Sequence, residues 1–394
     1  MLRHKVCGLI AVLLVASLVL TGCGSAESKE FVFGVVLVGA YNDHGWSEAH
    51  YTAAQAVVDN VPNTKMIYLD KLNSADRPGT TLEQVVDDMV SQGAKLILTT
   101  SDDFVADTDT VAAKYPDVQF IQVTGDHALT GEAPKNVSNY MVRMEYTKAI
   151  AGCAAALKTE TGSIGYLGPV VNDETRRLAS SSYLGARQCY ELYRGGNPDD
   201  LKFTVTWIGF WFNIPGVTLD PTEVANDLFN SGADVVLSGI DTTEAIVVAG
   251  QRADQGQNVY AIPYDYKAAC DIKPEVCLGT PYYNWAPFYI RTVKAVRDDK
   301  DGVLDQTFEW EGPDWDSFNK DSVVGFAFGP ALSDEDKANL DDYIGRLSKG
   351  EAKLWVGPLK LQDGTEYLAD GQEATDEQIW YLPQLLEGMT GASN

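Results

Sequence analysis

Asp102, Asp241 and Asp265 each stand a few residues beyond an apolar run, in TTSDDF (99–104), SGIDTTEA (238–245) and IPYDYK (262–267). An ionised carboxylate only accepts hydrogen bonds, so the three suit a ligand rich in ring N–H groups, amino groups or sugar hydroxyls. Flat apolar partners stand at matching places. VGAYNDHGWSEAHY (38–51) sets Asp43 and Trp46 around a glycine turn, WIGFWFN (207–213) supplies Trp211 and Phe212, and YYNWAPFY (282–289) supplies Trp285. Aromatic faces on two sides of a slot would sandwich a planar ring, each contact contributing about 1 kcal/mol beyond burial. Every member also has a plainer reading: the aspartates as helix N-caps, the tryptophans as core plugs. It is their company that points to binding.

Catalytic signatures are missing. The chain carries no Gly-x-Ser-x-Gly, no His-Glu-x-x-His, no phosphate loop and no dinucleotide glycine fingerprint. Beyond the first residues its histidines are His44, His50 and His127. His50 falls one helical turn after Trp46, where it would orient the turn or simply be buried. Asp103, Asp107 and Asp109 imitate a calcium loop but lack its glycine and terminal glutamate. No Cys-x-x-Cys motif suggests zinc. A carboxylate pair such as Asp43 with Asp241 would suffice for proton transfer, but nothing supplies a nucleophile. The reading is a binding protein with no cofactor and no metal, against a surface nucleoside hydrolase as the alternative from another class.

The elements that must hold these residues alternate. Continuous apolar runs predict strands near 31–38, 65–69, 95–99 and 118–123, separated by helical patterns near 46–60, 81–91 and 105–114. Unbroken rather than alternating strands indicate a parallel sheet covered on both faces. The rhythm restarts with strands near 163–167, 203–208, 234–238 and 259–262 and helices near 146–158, 174–193, 222–230 and 244–254. A strand–helix pair at 276–280 and 287–297, a strand at 323–328, a helix at 333–347 and a hairpin turning at Asp363-Gly364 complete the chain. The fold class is α/β, two doubly wound Rossmann-like lobes that exchange segments late and are joined by a hinge crossed several times. We expect 31–139 plus 265–320 in one lobe and 140–264 plus 321–394 in the other. Ligands of such sheets sit beyond the carboxyl ends of the strands, where the carboxylates and rings fall.

The first residues bound the compartment. Arg3 and Lys5 precede an apolar run, then Leu-Thr-Gly-Cys ends at Cys23. That is a signal peptide over 1–22, with Cys23 as a lipidated N-terminus and 23–30 as a tether; an ordinary signal peptide with an incidental cysteine is the alternative. Removing Arg3 and Lys5 from 30 basic residues leaves 28 against 56 acidic ones, moving the formal charge from −26 to −28. Such a surface repels nucleic acid and anionic headgroups. Outside the cytoplasm, Cys153, Cys189, Cys270 and Cys277 suggest two disulfides, with the local pairs 153–189 and 270–277 expected, or else buried thiols.

The long composite of VGAYNDHGWSEAHYTAA, AAKYPDVQFIQVTG, NVSNYMVRMEYTKAIAGCAAAL, GSIGYLG, GADVVLSGIDTTEA, YNWAPFYIRTVKAV and LWVGPLKLQDGTEYLADGQEATDEQI resembles the basic membrane protein family of substrate-binding lipoproteins. The resemblance runs over roughly residues 31–382. It implies the type I periplasmic binding protein fold, an ABC permease as partner, a membrane-anchored place outside the cytoplasm, and a purine base or purine nucleoside as ligand. By position it implies Trp46 and Trp285 as aromatic walls and Asp241 and Asp265 as pocket carboxylates. The nucleoside branch carries Asp-x-Ser-Phe-Asn and a late lysine; here Asp43-His44-Gly45-Trp46 and Asn284-Trp285 stand instead, similar to the branch associated with free bases. Trp211-Phe212 matches a Trp-Phe-Asp-Pro segment whose Asp-Pro is absent here. A sugar receptor of the same fold is the alternative within the class.

Overall fold

The computed structural model describes residues 30–394; the leader, Cys23 and the tether up to residue 29 lie outside the described residues. In chain order come β1 (Phe31–Val36), α1 (Trp46–Asn60), β2 (Thr64–Leu69), α2 (Leu82–Ser91), β3 (Ala94–Thr99), α3 (Val105–Ala112), β4 (Gln119–Val123), α4 (His127–Thr130) and β5 (Val137–Val142). Then follow α5 (Glu145–Lys158), β6 (Ser163–Gly168), α6 (Asp173–Arg194), β7 (Lys202–Trp207), α7 (Pro221–Asn230), β8 (Val235–Ser238), α8 (Glu244–Asp254) and β9 (Tyr260–Ile262). The last third gives β10 (Gly279–Tyr283), α9 (Ala286–Asp298), β11 (Phe308–Glu311), β12 (Val324–Phe328), α10 (Asp334–Ser348), β13 (Leu359–Lys360), β14 (Glu366–Leu368), α11 (Asp376–Trp380) and β15 (Met389–Thr390).

Two parallel sheets carry the molecule. One runs β11-β5-β4-β3-β1-β2 and the other β15-β7-β6-β8-β9. Every residue of β1 and β4 is buried, as strands covered on both faces require. Helix starts follow local capping chemistry. Thr81 with Gln84 and Asn172 with Thr175 form capping boxes at α2 and α6, and Asp220 caps α7, whose first residue is Pro221. α5 and α6 touch backbone to backbone: a Cβ on Gly152 would lie 1.8 Å from the Ser182 carbonyl oxygen, and one on Gly185 2.0 Å from that of Ala149. A Cys153–Cys189 disulfide joins the same two helices, and Cys270–Cys277 closes a short loop after β9. Among the described residues no helix is long and apolar enough to cross a membrane.

The structure adds strands at β5 and β11 that the apolar pattern does not announce. β5 is half polar in sequence, yet all six of its residues are buried. Its polar side chains are consumed by hydrogen bonds: Asn139 donates to the Gln122 side chain and the Thr124 carbonyl and accepts from the Ala128 amide, while Ser138 accepts from the Thr307 amide. The strand expected at 276–280 lies at 279–283, because Pro274 opens a short 3-10 turn over 274–276. β10 pairs antiparallel with β12 and its approach is bridged to β9 through Ala261 and Cys277. Strand pairing therefore sets β10 beside the second sheet rather than in the lobe of 31–139 plus 265–320, and sets β5 and β11 in the first sheet, so the chain crosses between the lobes near 143–145, 283–286 and 311–324.

Candidate functional site

The carboxyl ends of both sheets face one another across a cleft. Between them lies a cavity lined by Trp46, Ser101, Asp102, Thr124, Glu174, Trp211, Asp241, Tyr264 and Tyr283. The lobes are closed on it. Its volume is about 20 Å³, room for a single water, so a ring enters only when the lobes part.

Trp46 opens α1 and is 6 % exposed. Its Nε1 donates to the Thr100 carbonyl at 2.6 Å, which fixes the indole plane. Tyr283 meets it edge to face at 5.1 Å. Behind them His50, Trp285 and Tyr283 stack with centroids 4.5 and 4.6 Å apart, and His50 Nδ1 lies 2.6 Å from the Tyr289 hydroxyl. Burial holds the His50 pKa well below its ordinary value. Trp285 is fully buried in this stack. The structure thus places it one layer behind the cavity wall, because Tyr283 and Trp46 cover it.

Asp43 is turned away from the cavity. Its carboxylate accepts the backbone amides of Gly45, Ser47 and Glu48 at 2.9–3.1 Å, capping α1 as its plainer reading anticipates. Burial nonetheless pushes its pKa to about 6. Asp102 accepts from Trp211 Nε1 at 3.0 Å and Asn172 Nδ2 at 3.2 Å. Both donors come from the second lobe, so Asp102 is a latch across the cleft. Burial raises its pKa, with Asp103 adding to the rise. Phe212 is half-buried, packed on the core of the first lobe and edge to face with Phe210.

The free acceptors are Asp241 and Glu174. Each lines the cavity, and among the described residues no protein donor reaches either carboxylate. Burial raises Asp241 well above the usual carboxylate range, with Asp265 and Asp43 adding to the rise, and burial lifts Glu174 to about 7. Asp265 lies deeper, with both carboxylate oxygens buried and unpartnered and the backbone in the left-handed region at φ 72°. The balancing cation is Lys148 of α5, fully buried. Its Nζ donates to the Ser238 carbonyl at 2.7 Å and sits 3.2 Å over the Tyr264 ring centroid. Burial brings its pKa down to about 7 against the pull of Asp265 and Glu174.

The structure thus brings Trp46, Asp102, Trp211 and Asp241 to one lining and leaves Asp43, Phe212, Asp265 and Trp285 outside it. Sequence reasoning missed Glu174, Lys148 and Tyr264; Tyr283, which stands with Trp285 among the aromatics of YYNWAPFY, does reach the lining. A usable signal existed for Lys148, a lone charge in the apolar stretch of α5, TKAIAGCAAAL. Among the described residues no group of His, Cys, Asp or Glu is arranged to hold a metal ion.

The site carries a pH signature. An acid whose folded pKa exceeds its unfolded one binds more protons folded, so stability falls as pH rises between the two values. For Glu174 that window runs from 4.5 to about 7. We expect the parent to lose stability relative to Glu174→Gln across this window in chemical denaturation. A difference that stays flat would contradict a buried, proton-holding Glu174.

The profile of the family described as Bmp, ABC transporter substrate-binding protein PnrA-like, matches residues 31–353. The chain is 30% identical over 366 residues to a purine-binding protein of Brucella abortus, covering 93% of this chain and 94% of that one. It is 25% identical over 348 residues to a putative ABC transporter glucose-binding protein of Haloferax volcanii, covering 88% and 80%. Among solved structures, an ABC transporter solute-binding protein of Aeropyrum pernix superposes with a TM-score of 0.64 at 15% identity, over 91% of this chain and 100% of that one; the shared fold is that of type I periplasmic binding proteins.

Proposed function

The chain belongs to the Bmp family of PnrA-like ABC transporter substrate-binding proteins, and from that premise we propose that it captures a purine base between its lobes and delivers it to a membrane permease. The observation that carries the reading is the lining itself: Trp46 and Tyr283 on one side, and the Asp241 and Glu174 carboxyls with no protein partner, open to the N–H groups and ring nitrogens of a ligand. A planar heterocycle with ring N–H and amino groups supplies both a face for the rings and donors for the carboxylates. The 30% identical relative is named for purine binding, which points the same way. The lobes part to admit the ring and close over it, a hinge motion with no chemistry. The absence of a late lysine at Asn284-Trp285 favours the free base over the nucleoside. Because the Haloferax relative is named for glucose, a sugar in the same cleft is the second reading.

Asp241→Asn and Trp46→Leu should each weaken adenine or hypoxanthine binding at least about tenfold, about 1.4 kcal/mol, in calorimetric titrations of folded protein. If both variants bind as the parent does, the assignment of the cleft is wrong. We further propose that Cys23 carries a lipid that holds the protein on the outer face of the membrane. Cys23→Ala should then shift it from the membrane fraction to the medium, and unchanged membrane recovery would refute the anchor.

A further inference from the structure

The N–H donors of the cleft are spent before a ligand arrives. Trp46 Nε1 is held by the Thr100 carbonyl, Trp211 Nε1 by Asp102, and Lys148 Nζ by the Ser238 carbonyl. The Tyr264 and Tyr283 hydroxyls lie 2.7 Å apart and share one hydrogen bond. A purine base brings bare ring nitrogens beside its N–H groups, and carboxylates, which only accept, cannot serve them. We propose that Glu174 meets the base as a carboxylic acid and determines its fit: its O–H donates to a ring nitrogen, its C=O accepts the neighbouring N–H, and capture takes up one proton from solvent. The inference rests on the reading of the cleft as a site for a purine base.

Charge selects Glu174 for this part. The closed lobes hold Asp102, Glu174, Asp241 and Asp265 together, with Lys148 as the cation facing Asp265 and Glu174; Arg177 is spent on Glu145 at 2.7 Å. A neutral base adds no charge, and a buried acid without a partner gives up its charge rather than keep it. Asp241 is 6 % exposed, with Asp265 and Asp43 opposing its ionisation, so it holds its proton in both states. Glu174 is half-buried in the first turn of α6, where water reaches it once the lobes part. Arg177, Lys148 and the start of α6 favour its anion. Asp102 and Glu145 oppose it, as do Asp241 and Asp265 from the second lobe. Tyr166, Tyr264 and Tyr283 face it as neutral phenols. Burial outweighs the cations and sets Glu174 at about 7 in the closed molecule. The open cleft lets it ionise, and closure over a base returns the proton.

A group that binds its proton more tightly in the complex makes affinity fall as pH rises. Adenine and hypoxanthine are titrated calorimetrically into the parent and into Glu174→Gln. The amide offers an N–H and a C=O at the same places, so it imitates the acid at every pH. The base that binds should do so at least about tenfold more weakly at about pH 8 than at about pH 6 in the parent, and within about threefold in Glu174→Gln. A second measurement needs no variant: at neutral pH the parent's binding heat should be more endothermic in Tris than in phosphate, because the proton is drawn from the buffer. The proposal is overturned by an affinity that stays flat or rises with pH, by equal heats in the two buffers, or by a parent-like pH dependence in Glu174→Gln; each leaves the purine reading of the cleft standing. If neither base binds at any pH, that reading fails and this one with it.

Discussion

Gly45→Ala should lower ligand affinity at least about 100-fold, about 2.7 kcal/mol, while the unfolding free energy changes by no more than about 1 kcal/mol. In the closed molecule a Cβ at residue 45 would sit 1.7 Å from the backbone carbonyl oxygen of Asp241 and 2.7 Å from its carbon. Gly45 belongs to the turn before α1 in the first lobe, Asp241 to the loop after β8 in the second. Backbone cannot yield as a side-chain tip can, so the methyl group holds the lobes apart where they must meet. Opening relieves the clash without unfolding anything, which is why affinity and stability separate. Cβ contacts below 3.0 Å are essentially never tolerated, so the two loops must separate to admit the methyl group. Small-angle scattering should show the variant remaining expanded with ligand present. Parent-like affinity in Gly45→Ala would mean that these lobes do not close on ligand as they close here.

Arg177→Met should cost about 3–5 kcal/mol of folding stability. Arg177 is 2 % exposed; its Nε donates to Glu145 Oε1 at 2.7 Å, and its guanidinium lies 4.4 Å from the Trp380 ring centroid. The other carboxylate oxygen of Glu145 has no partner, so removing the arginine leaves a buried charge with neither ion pair nor hydrogen bond. Methionine fills most of the volume, which confines the loss to electrostatics. The double variant Arg177→Met, Glu145→Leu should recover much of that stability, because replacing both members of a buried pair is far less costly than orphaning one. Additive losses in the double variant would show that packing, rather than the orphaned charge, sets the cost.

How far the residues announce this molecule differs between scaffold and site. The parallel strands are legible because burial on both faces demands unbroken apolar runs, as in FVFGVV of β1. α1 begins at Trp46 and α8 spans Glu244–Asp254 where the helical pattern of apolar residues places them. β5 is hidden because Ser138 and Asn139 meet hydrogen-bond partners distant in sequence, which no local pattern reveals. At the cleft, strand-end loops nominate Trp46, Asp102, Trp211 and Asp241, all of which reach one cavity. Trp285 does not, since depth within an aromatic stack depends on Tyr283 and His50 arriving from two other elements. Glu174 reads locally as an ordinary first-turn acid of α6, and only the approach of the second lobe to the first makes it a cavity wall. Lys148 shows the converse: its oddity is visible in the sequence, but its purpose as the counter-charge to Asp265 and Glu174 needs three dimensions.

The central claim is that the cleft takes a purine base by offering it acceptors and rings. Its most direct test is calorimetric titration of residues 24–394 with adenine, hypoxanthine, adenosine and inosine at neutral pH. A saturable one-to-one heat with a base, weak or absent with its nucleoside, is the predicted result. No heat from any of the four in the millimolar range would contradict the account and return the ligand of Asp241 and Glu174 to the unknown.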